Sequence, residues 1–210
     1  MHEFVREHLW KRLEELDAVQ RVAFAAACAT RLLPSCDILT EVGGPGLSGA
    51  RRALDDVWQR ALGAGSGDLP LQAHEKACEA SLDWVVAREQ DEGGRATECQ
   101  GALLALLRAV RAARSGSATD ASWAASHAFD AAYDEAWEQQ PEVGRLPDMH
   151  VQLMSSDVVQ RELARQDRDL LQIAQTPLED QSIRELVENL RKRAENEPLM
   201  SPDRGNGQQI

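Results

Sequence analysis

The chain has 210 residues, 35 acidic and 23 basic, for a formal charge of −12; a surface this negative repels nucleic-acid phosphate and anionic lipid and attracts basic proteins. Nucleic acid and membranes are thereby excluded as expected partners. The length suffices to bury a core without metals or disulfides, and nowhere do β-branched residues alternate with polar ones over a strand length, so the composition is all-α.

Met1 leads straight into the charged, amphipathic HEFVREHLWKRLEEL, which does not read as a secretion signal. Leu9, Leu13 and Leu16 recur at helical spacing, followed by Val19, Val22, Ala23, Ala26 and Leu33. Asp17 interrupts the series as a helix N-cap, predicting helices over 2–16 and 18–33 that meet at a tight corner. Pro34 stops the second helix. The longest apolar run, Val22 to Ala29, is far short of the ~20 residues that span a bilayer.

A short helix is expected over 36–42, and the glycine-rich GGPGLSG (43–49) ends it. Ser48 then caps a helix in which Ala50, Leu54, Val57, Trp58, Ala61 and Leu62 share one face. GAGSGDLP (63–70) is the clearest loop. Further helices are expected over 71–90, 97–114, from Thr119 or Asp120 to about 139, 149–174 and 178–195. The last two suit an antiparallel hairpin, although the polar stretch 160–169 also allows an arm that pairs with a second copy as a homodimer. The expected architecture is a single compact bundle of about eight helices over 1–197, followed by a flexible polar tail over 198–210.

Cys28, Cys36, Cys78 and Cys99 show no C-x-x-C spacing and read as reduced thiols of a cytoplasmic protein. The acidic excess is concentrated in residues 63–150, which carry 15 acidic side chains against 7 basic ones.

RLEELDAVQRVAFAAACATRLLP (12–34), the glycine-rich turn and RRALDDVWQRAL (51–62) resemble the YjaG-like family of small bacterial proteins. The likeness continues through VVQRELARQDRDLL (158–171) and SIRELVENLRKRA (182–194), and its most specific part is the arginine pair with Asp55-x-x-Trp58. What the resemblance implies is an all-helical fold in the bacterial cytosol; it carries no catalytic motif to this chain.

Three sets of residues stand out. The turn leading into Ser48, Arg51 and Arg52 presents free N–H groups and two cations to an anion, but lacks the lysine and the preceding strand of a Walker loop. His127, Asp130, Asp134 and Glu138 fall along one helical stripe, as metal ligands do in bundles. A solvated acidic face explains that stripe without a metal, and no cofactor is expected. Finally, Glu75, Glu79, Asp83, Trp84, Glu89, Asp91 and Glu92 surround one tryptophan with carboxylates, which suits an exposed anchor for a basic protein partner.

The leading functional expectation is therefore a non-catalytic, cytoplasmic interaction module, of the immunity or neutralising kind, whose acidic surface binds a basic protein. The alternative is an enzyme or a ligand- or metal-binding bundle with a pocket between helices.

Overall fold

The alanine-rich run after Asp17 becomes the axis of the molecule, because its side chains are small or apolar on every side and all of them need cover. In the computed structural model, which describes residues 2–36, 48–63, 68–88, 94–140, 142 and 147–199, helices α1 (Arg6–Glu14) and α2 (Ala18–Leu32) are followed by a 3-10 turn (Leu33–Cys36). Then come α3 (Ser48–Ala61), α4 (Asp68–Val86), α5 (Gly94–Ser115), α6 (Ala118–Gln139), α7 (Met149–Met154), α8 (Asp157–Gln175) and α9 (Asp180–Asn196). No strand occurs among the described residues. No described helix is long and apolar enough to cross a membrane.

Every residue of α2 from Val22 to Leu32 is buried, and α3, α5, α6, α8 and α9 all pack on it. The corner before it is held much as Asp17 suggests: the Gln20 side chain accepts the Asp17 N–H at 3.0 Å, and α2 starts at Ala18. Arg21 fastens the same corner by donating to the Leu13, Glu14 and Gly116 carbonyls at 2.8, 2.9 and 2.9 Å. All three carbonyls lie at helix ends, where intrahelical donors run short. The first helix is shorter than its periodicity predicts, running from Arg6 rather than residue 2. His2 is drawn across to α8 instead, its N–H donating to Gln160 at 2.7 Å and its ring meeting Asp167 at 2.8 Å.

Trp58 anchors α3 in the core, 1 % exposed, with its indole N–H donated to the Thr30 hydroxyl at 3.1 Å. Such a buried ring adds large apolar area only when its single donor is satisfied. The short helix expected over 36–42 lies outside the described residues, apart from Cys36 in the 3-10 turn.

The polar helix α8 is no free arm. It packs on α6 and α2, and its buried face carries Val158, Val159, Leu163, Leu170 and Ile173 together with the polar Glu162, Gln166 and Asp169. The physical reason is Arg31, which donates to Glu162 at 2.9 Å and to Asp169 at 2.8 Å from the buried end of α2. Gln166 extends the network to the Ala125 carbonyl at 3.1 Å, and Arg193 of α9 reaches Asp169 at 2.6 Å. Each of α8 and α9 thus packs mainly on the body. Leu199 is buried as well, its N–H donating to the Arg31 carbonyl at 3.0 Å, while residues 200–210 of the expected tail lie outside the described residues.

Candidate functional site

α5 and α6 are joined through Gly116 and Ser117 and lie side by side, with the Ser117 hydroxyl capping α6 by accepting the Asp120 N–H at 3.1 Å. Towards the beginning of α5 and the end of α6 the two helices enclose a groove of about 500 Å³. Its α5 wall is Thr97, Glu98, Gln100, Gly101 and Leu104, and its α6 wall is His127, Asp130, Ala131, Asp134, Trp137 and Glu138. Gly101 helps to open it: a Cβ added there would meet nothing within 4 Å.

The stripe His127, Asp130, Asp134 and Glu138 therefore does not simply face solvent; it lines a concave surface. His127 Nε2 is buried without a hydrogen-bond partner, and its ring stacks on Trp123 with centroids 6.0 Å apart. Burial, aided by the Arg108 charge, lowers its pKa to about 4, so at neutral pH the ring is uncharged. Burial also raises the Asp130 carboxyl, with the neighbouring Asp134 adding to the effect, and burial alone raises Asp134. Both residues remain exposed at the rim of the groove, so the effect is a partial desolvation that an entering cation would relieve. Trp137, which follows Phe129 and Tyr133 at helical spacing, is 41 % exposed and borders the same groove. Phe129 and Tyr133 do pack against the core, Phe129 stacking on Phe4 at 4.5 Å. Among the described residues, no group of three or more His, Cys, Asp or Glu side chains is arranged to hold a metal.

The carboxylates around Trp84 are differently placed. Glu75 accepts from Arg111 at 2.7 Å and from Arg114, while Glu79 accepts from Arg111 at 2.8 Å, so these two clamp α4 to α5. Burial opposes the charge on Glu75, but the hydrogen bonds from Arg111 and Arg114 hold its carboxyl below the usual range. Trp84 is half-buried, with the Arg88 guanidinium 3.7 Å over its ring, and Asp83 is exposed. Glu89, Asp91 and Glu92 lie outside the described residues.

Ser48 is the first residue of α3, exposed like Arg51 and Arg52, and the glycine-rich turn before it lies outside the described residues. Arg51 borders a hollow of about 300 Å³ with Leu54, Asp55 and Arg191. There Arg191 is already paired with Asp55 at 2.6 Å and Glu195 at 2.8 Å, which leaves little uncompensated positive charge for an anion.

Two features went unread in the sequence. One is the α5 wall, Thr97 to Leu104, whose facing of α6 is a tertiary property. The other is the buried Arg31, Glu162 and Asp169 cluster, signalled by a lone arginine in an apolar run and by polar residues at i, i+4 and i+7 on α8.

The family model described as "Protein of unknown function (DUF416)" matches residues 8–199. A crystal structure of a DUF416 family protein from Shewanella baltica OS155 superposes with a TM-score of 0.65 at 16 % identity, covering 88 % of this chain and 93 % of that one. At that identity the likeness speaks for the fold. No curated protein matches the chain.

Proposed function

We propose, for a chain that belongs to the DUF416 family, that it is a non-catalytic cytoplasmic binding module whose groove between α5 and α6 receives a cationic side chain of a basic protein partner. Within the family we place it with the YjaG-like proteins, on the Arg51, Arg52, Asp55 and Trp58 pattern. The observation that carries the binding reading is the pairing of two pKa-raised carboxylates, Asp130 and Asp134, with an exposed tryptophan, Trp137, on one concave surface. A guanidinium or ammonium group entering the groove would neutralise carboxylates that burial disfavours, and the indole face attracts the same cation. The net charge of −12 steers such a partner towards this chain. An immunity or neutralising role, in which an acidic protein covers a cationic one, suits this chemistry.

A small cationic ligand is the second reading, favoured by the unpartnered His127 Nε2, which a groove built only for a flat protein surface would not need. The test is affinity capture of the tagged chain from its native bacterium at low and moderate salt, alongside the Asp130→Asn, Asp134→Asn double variant. A basic partner that is captured at low salt, lost as salt rises and lost with the double variant supports the proposal. Equal capture by both proteins places the partner elsewhere. Spermidine-dependent quenching of tryptophan fluorescence without any captured protein favours the small ligand.

A further inference from the structure

Cys36 closes the 3-10 turn after α2, and Cys99 sits in the second turn of α5, against which that turn packs directly. Both side chains are buried, at 0 % and 2 % exposed. Their Sγ atoms lie 2.9 Å apart, and the Cys36 thiol also points at the Cys99 carbonyl at 3.6 Å. That separation is close contact for two sulfurs, yet longer than the about 2.05 Å of a disulfide bond. We propose that Cys36 and Cys99 are an oxidation site of this protein, a thiol pair that closes to an intramolecular disulfide and ties the end of α2 to the α5 wall of the groove.

The other two cysteines show by contrast why this pair is singled out. Cys28 faces the buried Arg31, Glu162 and Asp169 cluster, with Arg31 donating to its sulfur at 3.5 Å, and burial pushes its thiol up to about 12. Cys78 on α4 is pushed up to about 12 by burial and by Glu79 and Glu75. Neither has a second thiol at hand, and neither readily yields the thiolate that exchange requires. Cys36 and Cys99 need only small side-chain movements to bond, because the backbone elements that carry them are already packed together.

The reaction is a two-electron exchange with a small organic disulfide such as oxidised glutathione. One cysteine loses its proton to water, and the thiolate attacks a sulfur of the small disulfide, expelling one small thiolate and leaving a mixed disulfide. The second cysteine, also deprotonated, attacks the protein sulfur of that mixed disulfide, forms the Cys36–Cys99 bond and expels the second small thiolate. The two expelled thiolates take up the two protons, so the protein is oxidised by two electrons and the small disulfide is reduced to two thiols. Since both sulfurs are buried, the first attack waits on local opening of the Leu33–Cys36 turn, and mild urea accelerates it. Cys99 is flanked by Glu98 and Gln100 of the groove wall, so the bond also fixes the helical turn that presents them.

The experiment treats the full-length reduced chain with oxidised glutathione, quenches with acid, alkylates in denaturant and maps peptides by mass spectrometry. The expected result is a monomer lighter by two hydrogens, with Cys36 linked to Cys99, with Cys28 and Cys78 alkylated, and with a higher melting temperature that dithiothreitol returns to its starting value. Four alkylated cysteines after prolonged exposure, a glutathione adduct that never resolves, or a link through Cys28 or Cys78 would overturn the proposal. The Cys36→Ser and Cys99→Ser variants are each expected to lose the link; the mapping of the unsubstituted chain decides the question even where a variant folds poorly.

Discussion

Arg31 on α2 and Asp169 on α8 meet at 2.8 Å across the core, each with only 2 % of its side chain exposed. A charge pair so deeply buried recovers its desolvation cost only through complete hydrogen bonding, and here Glu162 and Arg193 complete most of the set. Arg31→Ala removes the cation that Glu162 and Asp169 share, leaving Asp169 with Arg193 and buried Glu162 with only Arg165 at 3.8 Å. Its expected cost is about 3–5 kcal/mol, the range for breaking one side of a buried pair, read as a lower urea midpoint at unchanged slope. A loss below about 1 kcal/mol, within the range of exposed pairs, would show that the cluster is not what docks α8 on the body.

The same cluster shows what periodicity can and cannot tell. The helices were legible because leucine, valine and alanine recur at three and four residues, and because Asp17, Pro34, Gly116 and Pro177 punctuate them. The packing partner of each face was not. Residues 160–169 look too polar to be buried until Arg31 is placed opposite them, and nothing local to α8 announces that arginine. For the same reason the stripe from His127 to Glu138 read as a solvated face. Its own helix specifies the stripe, but the groove exists only because Thr97, Gln100 and Gly101 of α5 stand across from it. Trp137 followed the apolar periodicity and still ended 41 % exposed, at the border of the groove rather than in the core.

Two glycines separate backbone strain from crowding. Gly63 and Gly116 both have φ near +70°, a left-handed conformation that costs an L-residue about 1–2 kcal/mol. At Gly63 an added Cβ meets nothing within 4 Å, whereas at Gly116 it would stand 2.9 Å from the Ala18 Cβ. Gly63→Ala should therefore cost only the conformational strain. Gly116→Ala should cost clearly more, because the turn between α5 and α6 has to move off α2, carrying with it the carbonyl that Arg21 holds at 2.9 Å. Chemical denaturation of the two variants side by side checks the order, and equal losses would refute the crowding argument.

Stability should also respond to pH through His127. Its pKa falls from 6.5 to about 4 on folding, from burial and the Arg108 charge. Between those values the unfolded chain binds a proton that the folded chain refuses, so the contribution of His127 is fully present above pH 6.5 and is lost as pH falls towards 4. The carboxyls of Asp130 and Asp134, raised in the folded state, act in the opposite sense at the acid end of that window. His127→Gln should flatten the decline of the melting temperature between pH 6.5 and 4. An NMR titration of the native protein should show the ring still neutral at pH 5.5; a midpoint near 6.5 would mean that the ring is not buried as described.

The groove carboxylates give the sharpest separation of function from stability. Because partial burial disfavours the charged forms of Asp130 and Asp134, and Asp134 adds to the effect on Asp130, their negative charge is a liability in the unliganded fold. Asp130→Asn and Asp134→Asn should therefore raise the melting temperature slightly at pH 7, and the gain should shrink as pH falls and the native carboxyls protonate. The same substitutions should weaken capture of a cationic partner at least tenfold, a cost of about 1.4 kcal/mol. Glu75→Gln is the contrasting control: it loosens the clamp to Arg111 and Arg114, so stability should fall while the groove stays intact. Residues retained against stability are those that a binding site needs. Groove variants that lost stability along with Glu75→Gln would instead make Asp130 and Asp134 ordinary structural charges.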